Sequence, residues 1–202
     1  MASIREAQTL VVGLGNPGPE YARTRHNVGF AVVERLAAEA GARFSASGFQ
    51  ADAATAELAG IAVTLLKPQT FMNRSGLAVA AWLEALQLPA SCLVVVHDDL
   101  DLPLGWLRVV GSAGPGGHRG VASIQEALGT QAFPRVRVGI GRPPEGEDAV
   151  ERVLEEFAPE ELPVVEEIVG RAASAVRTLI ACGLAAAMDR YNVRAPASGA
   201  SP

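Results

Sequence analysis

The chain has 202 residues, 49% of them hydrophobic and 19% charged, with 21 Gly and 13 Pro. A chain of this length and apolar content can close a core without a disulfide or a metal, and it is neither intrinsically disordered nor a coiled coil. Its formal charge of -5, from 17 basic and 22 acidic side chains, argues at first sight against a nucleic-acid partner.

A strand is predicted over 9–14, ended by the breaker-rich Gly15-Asn16-Pro17-Gly18-Pro19. Asn27 is placed to cap a helix whose apolar positions Val33, Leu36, Ala37 and Ala40 recur at helical spacing, with Gly41 to close it. Weaker strands are expected within 44–58 and a better one at 61–66, followed by a helix over 75–86 and a buried strand at 93–97. Residues 105–110 read as another strand, leading through the glycine-rich 111–117 into a helix to 128 and a strand at 135–140. Past Pro143-Pro144 the pattern is helical, and 195–202 reads as a disordered tail behind a single domain of 1–194. Such alternation predicts an α/β fold, a twisted, mixed and mostly parallel sheet flanked by helices.

Cys92 and Cys182 are isolated from one another and suit a reducing cytoplasm; no stretch is expected to approach the roughly 20 apolar residues of a membrane span. Charge is unevenly spread. Residues 145–167 hold ten acids against the single base Arg152, and outside them stand 16 bases and 12 acids, a balance of +4. The motif-bearing remainder can therefore meet an anionic partner, and the acidic segment is expected to turn away from it.

Gly13-Leu14-Gly15-Asn16-Pro17-Gly18 matches a dinucleotide fingerprint literally, but Pro17 and Pro19 delay the helix that should open directly onto a pyrophosphate, so no cofactor is expected. His26, His97 and His118 include no pair at i, i+4, so no metal is expected either. What remains is a general base acting on water, a task suited to a neutral imidazole. His26 is favoured because it directly precedes a helix whose positive end disfavours imidazolium. Asp98, just past a buried strand, can orient it. Asn16, Asn73, Asp98 and His118 each follow a predicted strand, so a largely parallel sheet would gather several at its carboxyl edge.

These residues resemble the bacterial-type peptidyl-tRNA hydrolases. The resemblance rests on Val11-Val12-Gly13-Leu14-Gly15-Asn16-Pro17-Gly18 with Tyr21, Thr24-Arg25-His26-Asn27-Val28-Gly29, residues 67–76 around Phe71-Met72-Asn73, residues 97–105 from His97-Asp98-Asp99, Gly116-Gly117-His118-Arg119-Gly120, and Arg137-Val138-Gly139-Ile140-Gly141, in order over about 9–190. It implies a phosphorylase/hydrolase-like fold and a monomeric, metal-free and cofactor-free cytoplasmic carboxylic ester hydrolase that splits peptide from the 3′-terminal ribose of prematurely released peptidyl-tRNA, recycling the tRNA. In that scheme His26 activates water and Asp98 supports the ring. Asn16 and Asn73 line the site, Asn16 helping to select N-blocked substrates. Tyr21, Phe71 and Met72 would contact the CCA end, where stacking on an aromatic holds unpaired bases. His118 and Arg119 would contact substrate, and Arg137 would grip phosphate at the acceptor stem.

Two positions depart from the family pattern. Arg119 stands where an Asn commonly follows the His, and Val110 stands where the family has a phosphate-binding Lys. Arg108 lies two residues earlier on the same side of a strand and is expected to take over that contact. Two other classes leave different traces: a non-catalytic RNA-binding module would bind without cleaving, and a nucleotide-dependent oxidoreductase would carry a cofactor.

Overall fold

Alternate residues of the strands feed two separate cores. Val11, Val94, Val96, Val136 and Val138 pack on one side with Val33, Leu36, Ala172 and Val176. Leu10, Val12, Leu93 and Val95 pack on the other with Val79, Leu83, Val121 and Ile124. A period of two along each strand is what a sheet covered on both faces requires. The structure is a computed structural model that describes residues 9–192; the tail expected at 195–202 lies outside them.

The elements run β1 (Thr9–Gly13), α1 (Val28–Glu39), β2 (Ser45–Ser47), β3 (Ala51–Leu58), β4 (Ile61–Pro68), α2 (Ser75–Leu86), β5 (Leu93–Asp99), β6 (Leu107–Val110), α3 (Arg119–Leu128), β7 (Arg135–Gly139), α4 (Ala149–Leu154) and α5 (Leu162–Tyr191). They form one seven-stranded sheet in the order β2-β3-β4-β1-β5-β7-β6. The four central strands β4, β1, β5 and β7 are parallel. The outer pairings β2·β3, β3·β4 and β6·β7 are antiparallel. Helices α1 and α5 cover one face, and α2 and α3 the other. The sheet is thus α/β and mixed as expected, parallel at its centre.

Several features of the fold differ from the sequence reading. The strand expected to stop at His97 runs on through Asp98 and Asp99, because β7 continues to pair with it at Val138 and Gly139. The helical pattern after Pro144 divides into α4 and α5, and α5 itself breaks at Gly183 (φ 84°, ψ 174°), a left-handed conformation that glycine adopts without a Cβ penalty. Beyond that break Asn192 pairs with the edge strand, accepting from Val109 N at 2.7 Å and donating to Val109 O at 2.9 Å. Finally, α5 is long and apolar enough to cross a membrane, contrary to the sequence reading. Its Ile168, Val169, Ala172, Ala173, Val176 and Leu179 are instead packed in the core on the sheet.

Candidate active site

Parallel central strands bring their carboxyl ends to one edge, and the loops after β1 and β4 meet the end of β5 there. Gly29, in the first turn of α1, lets the backbones close up: a Cβ would lie 2.5 Å from both Leu14 O and Val96 O. That approach seats the turn Arg25–Asn27 against the sheet and places His26 at Asp98. A cleft of about 490 Å³ opens at this edge, lined by Asn16, His26, Met72, Asn73, Asp98 and His118 among others. Of the remaining expected residues, Phe71, Arg119 and Arg137 line it too, and Tyr21 and Arg108 do not.

At its floor one carboxylate oxygen serves two imidazoles. Asp98 Oδ1 lies 2.8 Å from His26 Nδ1 and 2.8 Å from His118 Nε2. Burial alone would raise the Asp98 pKa, but the two rings, by charge and by hydrogen bonding, outweigh it and hold the carboxyl well below the usual carboxylate range. An ionised carboxylate only accepts hydrogen bonds, so both ring nitrogens facing it carry hydrogen.

His118 is fixed further. Its Nδ1 accepts from Gly120 N at 3.1 Å and Val121 N at 3.2 Å, which makes it the N-cap of α3. Nδ1 is therefore unprotonated and the ring's hydrogen sits on Nε2, where it donates to Asp98. His26 donates through Nδ1, which leaves the Nε2 lone pair as its basic atom. The three side chains have ligand-type atoms within 4.8 Å of one another. An ion at His118 Nε2 would need either an imidazolate or the loss of the helix cap, so the proton arrangement does not suit a metal.

The asparagines are held from behind. Asn16 N donates to Asn27 Oδ1 at 2.8 Å, and Asn27 Nδ2 donates to Asn16 O at 3.0 Å. Asn27 sits at the N-cap position of α1 as expected, but its side chain makes no cap hydrogen bond and holds Asn16 instead. Met72 N donates to Asn16 Oδ1 at 2.8 Å, so the Asn16 amide nitrogen is the end with hydrogens to offer the cleft. Asn73 is exposed at the rim beside Phe71, which is 57% exposed, whereas Met72 is buried. Tyr21 is half-buried in the turn Pro19–Tyr21 away from the cleft, its carbonyl engaged by Thr24 N and Oγ1.

His97 stacks edge-on against His118 with ring centroids 4.7 Å apart. Its Nδ1 donates to the Asp98 carbonyl at 2.7 Å, and its buried Nε2 finds no partner. Burial first, and His118 second, lower its pKa well below the ordinary histidine value. The unfolded chain therefore takes up a proton below about pH 6.5 that the folded chain refuses, so this contribution to stability is complete above that pH and is lost as pH falls. His97→Phe should flatten the decline in unfolding free energy between pH 6.5 and 5, by up to ~1.4 kcal/mol per pH unit, in denaturant melts at both pH values.

The acidic segment is not turned away, which corrects that expectation. Arg25 N donates to Glu155 O at 2.9 Å, Thr24 bridges to Glu156, and the buried Arg25 guanidinium meets Glu161 at 2.5 Å and lies 4.6 Å from the centroid of the Phe157 ring. The segment that carries most of the negative charge is strapped to the turn bearing His26. What α4 contributes to the cleft is nevertheless apolar: Ala149, Val150, Val153 and Leu154. Sequence reasoning missed this wall and Arg25; the one signal was the i, i+3/i+4 spacing of Val150, Val153 and Leu154 within the acidic run.

The cationic pair stands on β6 and β7, with Arg137 lining the cleft. Arg108 and Arg137 are register partners across β6 and β7, hence on one face of the sheet, with Arg108 exposed and Arg137 bound to Asp99. His118 reaches the cleft by an unexpected route. Because β6 is antiparallel, its end at Val110 lies at the far edge of the sheet, and residues 111–117 must cross back to Asp98.

Comparison with known proteins shows the family. Residues 10–199 match the family described as peptidyl-tRNA hydrolase. The chain is 49% identical to the peptidyl-tRNA hydrolase of Chloroflexus aggregans over 184 residues, covering 91% of this chain and 98% of that one. The crystal structure of peptidyl-tRNA hydrolase from Acinetobacter baumannii superposes with a TM-score of 0.86 at 34% identity, covering 96% of this chain and 98% of that one. At 12% identity and a TM-score of 0.51, with 86% of this chain and 92% of the other covered, the purine nucleoside phosphorylase of Toxoplasma gondii shares the fold alone. The chain belongs to the peptidyl-tRNA hydrolase family of carboxylic ester hydrolases.

Proposed function

We propose that this protein cleaves the ester joining a peptide to the 3′-terminal ribose of tRNA, in peptidyl-tRNA that has left the ribosome, with His26 as the general base. The observation that carries the reading is the shared Asp98 oxygen: it keeps hydrogen on His26 Nδ1 and so leaves Nε2 as the base. Water between His26 Nε2 and the ester carbonyl gives its proton to the ring as its oxygen attacks the carbonyl carbon. Collapse of the tetrahedral intermediate breaks the bond to the ribose 3′ oxygen, and that oxygen takes the proton back from His26. The Asn16 amide, fixed by Asn27 and Met72, offers donors to the peptide, with Asn73 beside it. Phe71 and Met72 meet the terminal nucleotide, and His118 and Arg119 lie against the same substrate. The protein acts as a cytoplasmic monomer, without metal or cofactor.

A direct test compares an N-acetyl-aminoacyl-tRNA with its unblocked form: the blocked ester should be hydrolysed much the faster, and binding without cleavage would favour an RNA-binding module instead.

For the tRNA body, we propose that Arg108 and Arg137 together engage acceptor-stem phosphate, Arg108 standing in for the Lys displaced by Val110. The cross-strand register of the two arginines supports it. Arg108→Ala should weaken tRNA binding several-fold at low salt and lower the slope of log K against log salt by about 1. An unchanged affinity and slope would remove Arg108 from the interface.

A further inference from the structure

We propose that Arg135 is a positioning residue for the reaction: its guanidinium anchors the loop 111–117 from beneath and so delivers His118 to Asp98. The proposal rests on the catalytic reading above. Arg135 begins β7, is 1% exposed, and pairs in register with the apolar Val95. It forms no ion pair among the described residues, and its Nε is buried without a partner. What holds it is the main chain of the loop, since Nη2 donates to Ala113 O at 2.6 Å and Gly114 O at 3.2 Å. A cation buried with two carbonyls and the Phe133 ring, 6.0 Å to its centroid, as its partners is expensive beside the apolar Val95.

The loop needs such an anchor. It leaves the sheet at the edge opposite the active site, holds four glycines in 111–117, and turns into α3 through Gly116 (φ 59°) and Gly117 (φ 80°). So glycine-rich a segment has many conformations to lose. A second donor, Gln125 Nε2 from α3, meets the same Ala113 carbonyl at 2.8 Å. Downstream of these carbonyls, His118 N donates to Pro115 O at 3.0 Å, and the ring then both caps α3 and donates to Asp98. Arg135 thus reaches the chemistry through His118, without touching substrate.

The test reads turnover and the state of His118 together. With three histidines in the chain, ¹⁵N-imidazole NMR can resolve His118, whose signal in the wild type should be that of a ring held with its proton on Nε2. In Arg135→Met that signal should move toward a tautomer average, and kcat on N-acetyl-aminoacyl-tRNA should fall about tenfold with KM nearly constant. Arg135→Lys, which keeps the charge but not the fork of donors, should recover part of both. His118→Ala combined with Arg135→Met should be no slower than His118→Ala alone, because the two act along one path. A folded Arg135→Met with wild-type kcat and an unmoved His118 signal overturns the proposal, as do independent, multiplying effects in the double variant. Should Arg135→Met fail to fold, Gln125→Leu carries the test by removing the other donor from Ala113 O: kcat and the His118 signal must shift together, by about threefold in rate, and an unmoved signal overturns the proposal. Turnover by a His26 variant would sink the catalytic reading and leave the tautomer result intact, so the two failures are distinguishable.

Discussion

His26→Gln should bind N-acetyl-aminoacyl-tRNA nearly as tightly as the wild type and release the amino acid about 10²- to 10⁴-fold more slowly, the range a single general base supplies. The substitution removes the one basic atom that the Asp98 pairing leaves on the ring, while an amide of similar length can still donate to Asp98. Folding should survive, because the turn is held by its main chain: Arg25 N to Glu155 O at 2.9 Å and Asn27 N to Thr24 O at 3.0 Å. Single-turnover release measured beside filter binding separates the two effects. Release at the wild-type rate would show that water is activated elsewhere.

The central strands were legible because β1 and β5 are aliphatic runs ended by glycine or acids, whereas β7, Arg135-Val136-Arg137-Val138-Gly139, shows the period of two instead. His26, Asp98, Asn16 and Asn73 could be placed together from strand ends alone, since parallel strands share a carboxyl edge. The missed features all depend on pairing between distant segments. Whether β6 runs parallel or antiparallel to β7 cannot be read from Leu107-Arg108-Val109-Val110, yet it decides that His118 arrives by a loop crossing the sheet. The acidic count of 145–167 describes a solvated surface and is silent about Val150, Val153 and Leu154, which form a cleft wall because Arg25 straps the segment behind them to the active-site turn. Asn27 reads locally as a helix cap; only the approach of the loop after β1 shows that its amide holds Asn16.

Asp98→Asn should be as damaging as loss of the base, with turnover reduced by about 10³- to 10⁴-fold and substrate binding largely kept. The reason is charge. His118 must donate through Nε2, because Gly120 N and Val121 N occupy its Nδ1. An amide oxygen at position 98 can still accept from both rings, as Asp98 Oδ1 does, but it brings no negative charge. His26 becomes an imidazolium as it takes the proton from water, and without the carboxylate that cation is left uncompensated at a buried site. Raising the pH cannot restore activity, since it does not return the missing charge. In the wild type the carboxylate stays ionised even though burial opposes it, because both imidazoles hold it well below the usual range, so Asp98 itself adds no acid limb to the pH profile near neutrality. Single-turnover release by Asp98→Asn measured beside filter binding checks this, and release at the wild-type rate would refute the role of the charge.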